Sequence, residues 1–206
     1  SQLHGAIYVM PAIAPDYAGS DDYRIIPFGG IYLQYENFFL RTEGSGLSIN
    51  VSPIRNIVAG PAVNFRIGRR AKDVKNAAVA ALGDREDAVE IGGFAGLRFD
   101  SVMVGGDQIE LNAKMMFDIS DTYDGRTIET TVSYQAPLSD RLSLGIAATA
   151  IHGDDGFQDY YFGVTDDGAA PSGLPSYQAG EGWNEVRGTL NMRYRLSQKW
   201  TAIGIA

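Results

Sequence analysis

Two acidic segments are the first candidates for chemistry in this sequence. The segment 15–24 (PDYAGSDDYR) holds three aspartates, and the segment 152–182 holds five aspartates and one glutamate, with no Lys or Arg between Arg141 and Arg187. Hard divalent cations prefer carboxylate oxygens, so one hypothesis is a cation site between these two segments. Its candidate ligands are Asp16, Asp21, Asp22, Asp154 and Asp155. The favoured alternative is a pair of solvated loops, because DDGFQD lacks the spacing of an EF-hand loop.

Catalysis has little support in the residue types. The chain has no Cys, which excludes a thiol nucleophile, a disulfide framework and a Cys-ligated zinc site. Its two histidines, His4 and His152, have no serine partner in any local motif. We therefore predict that the protein is not an enzyme and carries no cofactor.

The elements that would position these residues are β-strands. In residues 107–120 (DQIELNAKMMFDIS) apolar and polar side chains alternate, with Met116 as the one exception. Segments 126–138 and 183–196 alternate in the same way. Similar runs occur near 3–14, 23–34, 57–68, 88–100, 141–151 and from 200 onward. Runs of about 10–14 residues exceed the ordinary strand of about 5–6 and suit transmembrane β-strands of about 9–11.

The polar faces of these strands carry charges of both signs. In a membrane barrel they would face the lumen, where they could line a conducting channel or pair with one another and close it. The mixed signs, and a size between filled eight-stranded barrels and open porins, favour the closed lumen. The candidate lumen residues are Glu90, Arg98, Glu110, Lys114, Asp118, Glu129, Glu185, Arg187, Arg193 and Arg195.

One aromatic cluster has two interpretations. Tyr160, Tyr161 and Phe162, followed by Gly163, could form a platform for a sugar or an aromatic ligand. We favour a structural function, either at a strand end in the membrane interface or folded into the barrel mouth as a lid.

Short and long connections alternate along the chain, as an outer-membrane barrel requires. If Gly44-Ser45-Gly46 forms a turn that divides 38–43 from 47–52, the amino terminus lies in the periplasm and 15–22 becomes an external loop. The count is then eleven strands, and an even total predicts a twelfth beyond Ala206. A ten-stranded barrel is the alternative if 38–52 is continuous. The one helical segment expected is 72–82, inside a loop. The short connections are 52–56, 101–107, 137–140 and 197–199, and the long external loops lie near 69–87 and 152–182.

Composition limits the class of protein. A net charge of −8 is opposite to that of a nucleic-acid-binding protein, so no nucleic-acid partner is expected. With 45% hydrophobic residues in 206, the chain can bury a core, and we expect a single domain over 1–206.

Several motifs together resemble the MipA/OmpV family, outer-membrane β-barrels of Gram-negative bacteria. They occur in order at 15–40 (PDYAGSDDYRIIPFGGIYLQYENFFL), 68–70 (GRR), 89–94 (VEIGGF), 160–180 (YYFGVTDDGAAPSGLPSYQAG) and 194–201 (YRLSQKWT). The resemblance implies a place in the cell outer membrane, in contact with its lipid and lipopolysaccharide. It also implies a scaffold that brings a lytic murein transglycosylase to a peptidoglycan synthase. One departure is that the family's closing strand, which ends in an aromatic residue, is absent here.

The sequence therefore predicts an all-β fold, an antiparallel up-and-down transmembrane barrel of about 12 strands. The expected function is that of a scaffold that links murein-remodelling enzymes to the outer membrane. The alternative is a porin-like channel for small solutes.

Overall fold

The computed structural model describes residues 2–15, 20 and 22–205, and its framework is an eleven-stranded antiparallel meander in which each strand pairs with the next. The sheet curls until β11 lies beside β1, so the architecture is a nearly closed barrel. This confirms the predicted all-β barrel. The strands are β1 His4–Pro15, β2 Tyr23–Tyr35, β3 Phe38–Glu43, β4 Gly46–Asn50, β5 Ile57–Arg66, β6 Ala88–Asp100, β7 Gln108–Asp118, β8 Arg126–Pro137, β9 Leu142–Gly153, β10 Gly182–Arg195 and β11 Thr201–Ile205.

The predicted alternation of side chains separates the two faces of the sheet. On β6, Ile91 and Leu97 are exposed, whereas Glu90 and Phe94 are buried. Since successive residues of a strand point to opposite faces, the outer face is covered by apolar side chains, whereas the lumen face carries the polar residues together with some apolar ones such as Phe94. Met116, the exception in the pattern of β7, is a buried lumen residue.

The chain turns at Gly44–Ser45, as predicted. Gly44 has a positive φ of 58°, a conformation that glycine adopts without strain. β3 and β4 then pair from Glu43↔Gly46 to Phe39↔Asn50. A continuous strand over 38–52 is therefore wrong, and with it the ten-stranded count. The twelfth strand stays a prediction.

The connections of the meander alternate between two ends of the barrel. The long-loop end carries residues 67–87, 119–125 and 154–181, and the short-turn end carries short connections only. The short turns are 36–37, 51–56, 101–107, 138–141 and 196–200.

The helices lie in the two longest loops. The predicted helical segment 72–82 contains a 3₁₀ turn, Ala71–Asp73, and helix α1, Ala77–Ala81. The expectation that it would be the one helical segment is wrong, because the loop 154–181 folds into α2, Asp155–Phe162, and α3, Asp166–Ser172. Side-chain caps begin both: Asp154 accepts from the Phe157 amide and Thr165 from the Gly168 amide.

Across the described ranges, no helix is both long and apolar enough to span a membrane.

Candidate functional site

A network of ion pairs fills the lumen beside strands β3, β6, β7 and β8. At its centre Glu110 contacts Arg41, at 3.0 Å from Nη2 to Oε1, and Arg98, at 2.7 Å from Nη2 to Oε2. Lys114 Nζ lies 2.9 Å from Glu43 Oε2. Its contact with Glu129 Oε1 is 3.3 Å, and Arg41 Nε lies 2.5 Å from Glu43 Oε1.

Burial makes this network important for stability. The Glu110 side chain is only 8% exposed, and those of Arg98 and Lys114 are 13% and 14% exposed. The three cations and three carboxylates of the network balance, so none of these buried charges is left without a counter-ion. Removing one partner from a buried pair costs about 3–5 kcal/mol, because the other charge stays buried alone.

An apolar cluster completes the filling on this side of the lumen. It consists of Phe39, Val58, Ala62, Phe94 and Met116, with Tyr32 packed against it. The network stacks on it: the guanidinium carbons of Arg41 and Arg98 lie 4.9 and 4.8 Å from the centre of the Phe39 ring.

A second buried carboxylate, Glu90, lies nearer the long-loop end and is fully buried. Its oxygens accept from Arg66 Nε at 2.6 Å, from Asn64 Nδ2 at 2.7 Å and from the Tyr123 hydroxyl at 2.7 Å. Burial, together with this hydrogen bond to Glu90, raises the pKa of Tyr123 well above its usual range, so its hydroxyl stays a donor.

Helix α2 covers this end of the lumen. Phe157 is buried against Tyr123, with ring centres 5.3 Å apart. The guanidinium of Arg66 lies 4.8 Å from the centre of the Phe157 ring. Tyr160, Tyr161 and Phe162 pack on the same cluster, an arrangement that matches the lid interpretation of these aromatic residues.

The two longest loops fasten to each other. Arg85 Nε donates to the Tyr160 carbonyl at 2.6 Å, and the Glu86 amide donates to the Tyr160 hydroxyl at 2.8 Å. Helix α1 also contacts α3. Residues 67–87 and 154–181 therefore form one cover, which we call the lid.

A cavity of about 250 Å³ remains beside the ion network. All of its lining side chains are polar. They are Arg41, Glu43, Glu110, Asn112, Glu129, Thr131 and Ser133.

Over the described ranges, the charged residues of β10 form no ion pairs with the network. Arg187 Nε donates to Glu185 Oε1 at 2.6 Å, so these two residues pair with each other. Arg195 donates to the backbone carbonyl of Asp140. The side chain of Arg193 has neither a hydrogen bond nor an ion pair with any residue that the structure describes.

Asp118 does not enter the lumen network among the described residues. It stands at the end of β7 and organises the loop 119–125. Its Oδ2 accepts from the backbone amides of Thr122 and Tyr123 at 2.7 and 2.6 Å, and its Oδ1 accepts from Ser120 at 2.8 Å. Its hydrogen bonds therefore stabilise the loop 119–125.

The candidate cation ligands form other hydrogen bonds or ion pairs, or lie outside the described residues. Asp16 and Asp21 lie outside the described residues, and Asp22 pairs with Lys75 at 3.0 Å. Asp154 caps α2 and also accepts from the Arg126 amide, while Asp155 accepts from the Glu181 amide. Within the described part of the chain, no group of three His, Cys, Asp or Glu residues could hold a metal ion.

Among the residues of the lumen clusters that sequence reasoning missed are the ionisable side chains of Arg41, Glu43, Arg66 and Tyr123. A signal for the first two was present, because Phe39, Arg41 and Glu43 alternate along β3 and so share one face. No such signal marks Tyr123, which lies in a loop.

Sequence comparisons identify the family of this chain. The sequence profile of the family described as "MltA-interacting protein MipA" matches residues 7–206. Two relatives, both named "Putative outer membrane protein YiaT", come from Escherichia coli (strain K12) and Escherichia coli O157:H7. Each is 33% identical over 73 residues, which cover 35% of this chain and 29% of the relative's length. No solved structure matches. With its eleven-stranded barrel and a family match over nearly its full length, the chain belongs to the MipA family and is a β-barrel protein of the outer membrane.

Proposed function

We propose that this protein is a closed outer-membrane barrel that acts as a scaffold, binding murein-remodelling enzymes at its periplasmic end. The observation that supports the proposal is that the ion network, the apolar cluster and the lid together occupy the lumen beside β3 to β8 and its long-loop end. A barrel whose interior is filled exposes its two rims to other molecules, so its expected function is to bind partners there.

The orientation follows from the connections. Outer-membrane barrels have short turns on the periplasmic side and longer loops outside. The lid then faces the exterior, and the short-turn end faces the peptidoglycan layer. The residues predicted for the lumen, with Glu90, Arg98, Glu110, Lys114 and Glu129 at its centre, act in this proposal as the seal rather than as a conducting path.

One turn of the short-turn end is suited to binding a partner. The amides of Val102, Met103 and Val104 all donate to the carboxylate of Asp107, at 2.6, 2.8 and 2.9 Å. The turn is thereby held in one shape, while the three apolar side chains stay exposed, Met103 at 72%. A rigid exposed apolar surface loses little conformational entropy when it binds.

The family description suggests the partner. It names an interaction with MltA, so we propose a lytic murein transglycosylase as the ligand of the short-turn end, with a peptidoglycan synthase joined to the same assembly. Tethering both enzymes to one rigid barrel would raise their effective concentration near each other.

Site-directed crosslinking tests the scaffold. The chain contains no Cys, so a single Met103→Cys variant can carry a thiol-reactive photo-crosslinker without background labelling. We expect a crosslink to a lytic transglycosylase in cell envelopes. The matched control is Lys72→Cys, exposed at the long-loop end, which should give no such product. Equal yields from both variants, or no murein enzyme captured by Met103→Cys, would contradict the proposal.

The second candidate, a channel for small solutes, is favoured by one observation: the cavity of about 250 Å³ inside the lumen has an entirely polar lining. A channel would need a continuous path past the lid. It predicts steady conductance of the purified wild-type protein across a planar bilayer.

A further inference from the structure

We propose that the lumen face of β10 binds a small polyanion, with Asn191, Arg193 and Arg195 as its donors. The alternation of β10 puts these three residues on one face, since Leu190, Met192 and Tyr194 point outward and are exposed. Arg187 fixes the direction of that face. It is paired with Thr149, whose hydroxyl contacts Thr131, a residue that lines the lumen cavity.

The neighbouring strands offer these cations no counter-ion. On β9 the residues of the same face that flank them are Ser143, Gly145 and Ala147, none of them acidic. On β11 they are Thr201, Ile203 and Ile205, again without an acid. The one glutamate on β10, Glu185, is held by Arg187.

The basic residues of the ion network are all paired with acids, unlike Arg193. Arg41, Arg98 and Lys114 each contact at least one glutamate, whereas Arg193 contacts no acid among the residues described. Arg193 and Arg195 are also exposed although they point to the lumen, so solvent reaches them. Arg195 also donates to the backbone carbonyl of Asp140, but no acid neutralises either guanidinium among the residues described. Two accessible guanidinium groups without a paired acid form a site for an anion, since they bind carboxylate and phosphate oxygens in bidentate fashion.

The spacing sets the size of the ligand. Residues two apart on a strand are separated by about 6.6 Å, so the three donors span about 13 Å along the lumen. Asn191 is placed by the glycine beside it: a Cβ at Gly145 would lie 2.5 Å from the Asn191 amide nitrogen. A solute with two or three carboxylate or phosphate groups fits such a row better than a single-charge anion.

The position of these three donors along β10 indicates from which end of the barrel the polyanion enters. Arg193 and Arg195 lie at the short-turn end of β10, and the lid covers the opposite end. With the short-turn end in the periplasm, the polyanion reaches the site from the periplasmic side. The site itself does not depend on a murein partner, so its test is separate from that of the scaffold.

Calorimetric titration of the purified barrel in neutral detergent tests the site. The probes are inorganic pyrophosphate and citrate, at constant ionic strength, with spermidine as the cationic control. We expect saturable binding of at least one anion to one site and no measurable binding when spermidine is titrated alone. Tighter binding of pyrophosphate would indicate a phosphorylated ligand, and tighter binding of citrate a polycarboxylate.

Variants locate the site. Arg193→Gln and Arg195→Gln should each weaken binding about 10-fold or more, because each removes a charge-assisted hydrogen bond. Arg193→Lys keeps the charge and should lose less. Lys199→Gln removes a positive charge from the adjacent turn and should stay within about twofold of wild type.

Circular dichroism and heat-modifiable gel mobility establish that each variant is folded. If Arg193→Gln does not fold, the comparison of Arg193→Lys and Arg195→Gln with Lys199→Gln decides the question. Absence of saturable binding by either anion would overturn the proposal. Equal weakening by the lumen and turn substitutions would overturn it too, because it would show nonspecific attraction.

Discussion

Two walls of the barrel share the same alternation of inward and outward side chains, but they differ in whether the inward charges are paired. In the packed wall, strands β3 to β8, inward charges find partners on the adjacent strand and across the lumen: Glu110 is bridged to Arg98 on the neighbouring β6 and to Arg41 on the more distant β3. In the open wall, strands β9 to β11, Arg193 points inward and finds no acid among the described residues. Alternation therefore tells which residues face the lumen, while the curvature of the sheet decides which of them meet.

The difference matters because an inward charge can either seal a barrel or provide a site. A buried pair costs several kcal/mol to break, so the packed wall is rigid. A solvated arginine has no such constraint and stays available to a ligand.

Glu110→Gln should destabilise the barrel most. It leaves Arg41 and Arg98 buried without their shared carboxylate and should lower the free energy of unfolding by about 3–5 kcal/mol. The matched change in the open wall, Glu185→Gln, removes the partner of Arg187, which is 54% exposed, and should cost under about 1 kcal/mol. Urea unfolding in lipid vesicles, followed by tryptophan fluorescence, measures both. Equal losses would show that the two walls do not differ in the way described.

The lid should respond to Phe157→Ala. Phe157 is only 2% exposed and packs on Tyr123 and Arg66, so its truncation should cost about 3 kcal/mol, confined to the lid. Protease cleavage within 154–181 should then become about 100-fold faster in the folded barrel. Trp183→Ala, an exposed aromatic residue beside the lid, is the control and should change cleavage less than about twofold. Unchanged cleavage of Phe157→Ala would mean that α2 does not hold the lid.

A pair of glycine substitutions compares close packing in the two walls. A Cβ at Gly92 on β6 would lie 1.9 Å from the Met115 carbonyl oxygen, whereas at Gly188 on β10 it would meet nothing within 4 Å. Gly92→Ala should therefore destabilise the barrel by about 1–3 kcal/mol, and Gly188→Ala by less than about 0.5 kcal/mol. The same urea titration compares them. A larger loss for Gly188→Ala would reverse the assignment of the two walls.

The smallest effect concerns the turn that joins β6 to β7. Burial alone would raise the pKa of Asp107, but hydrogen bonds from the amides of Val104, Met103 and Val102 hold it below its usual value. A lowered pKa means that this carboxylate stabilises the fold above the unfolded pKa of about 4 and loses that contribution as the pH falls through its folded pKa.

Asp107→Asn should therefore lower the free energy of unfolding slightly at pH 7 and flatten the decline of stability below the unfolded pKa of about 4. Unfolding measured from pH 7 into the acid range checks this prediction, and a wild-type profile for Asp107→Asn would show that the turn does not depend on its carboxylate.

Much of the fold could be predicted from the sequence, because it depends on local features. Long segments of alternating apolar and polar residues predicted the strands, and Gly44-Ser45-Gly46 predicted the turn between β3 and β4. Helices α2 and α3 were missed because they are short, and because Asp154 and Thr165, which cap them, resemble ordinary loop residues.

The lumen contacts could be predicted only in part. Period two identified Glu110 and Lys114 as inward residues, yet their partners Arg41 and Glu43 lie 69 and 71 positions away along the chain. Pairing at that separation depends on barrel curvature, which no local pattern encodes. The same limit explains why Tyr123 and Arg66 were not connected to Glu90 in advance.

In the proposed closed barrel, the ion network, the apolar cluster and the lid together block the lumen. The decisive test is the conductance of the purified wild-type protein in planar lipid bilayers, with insertion established by protection of the strands from protease. The closed barrel predicts no steady conductance at moderate voltage. Stable, uniform conductance steps from the wild-type protein would contradict it.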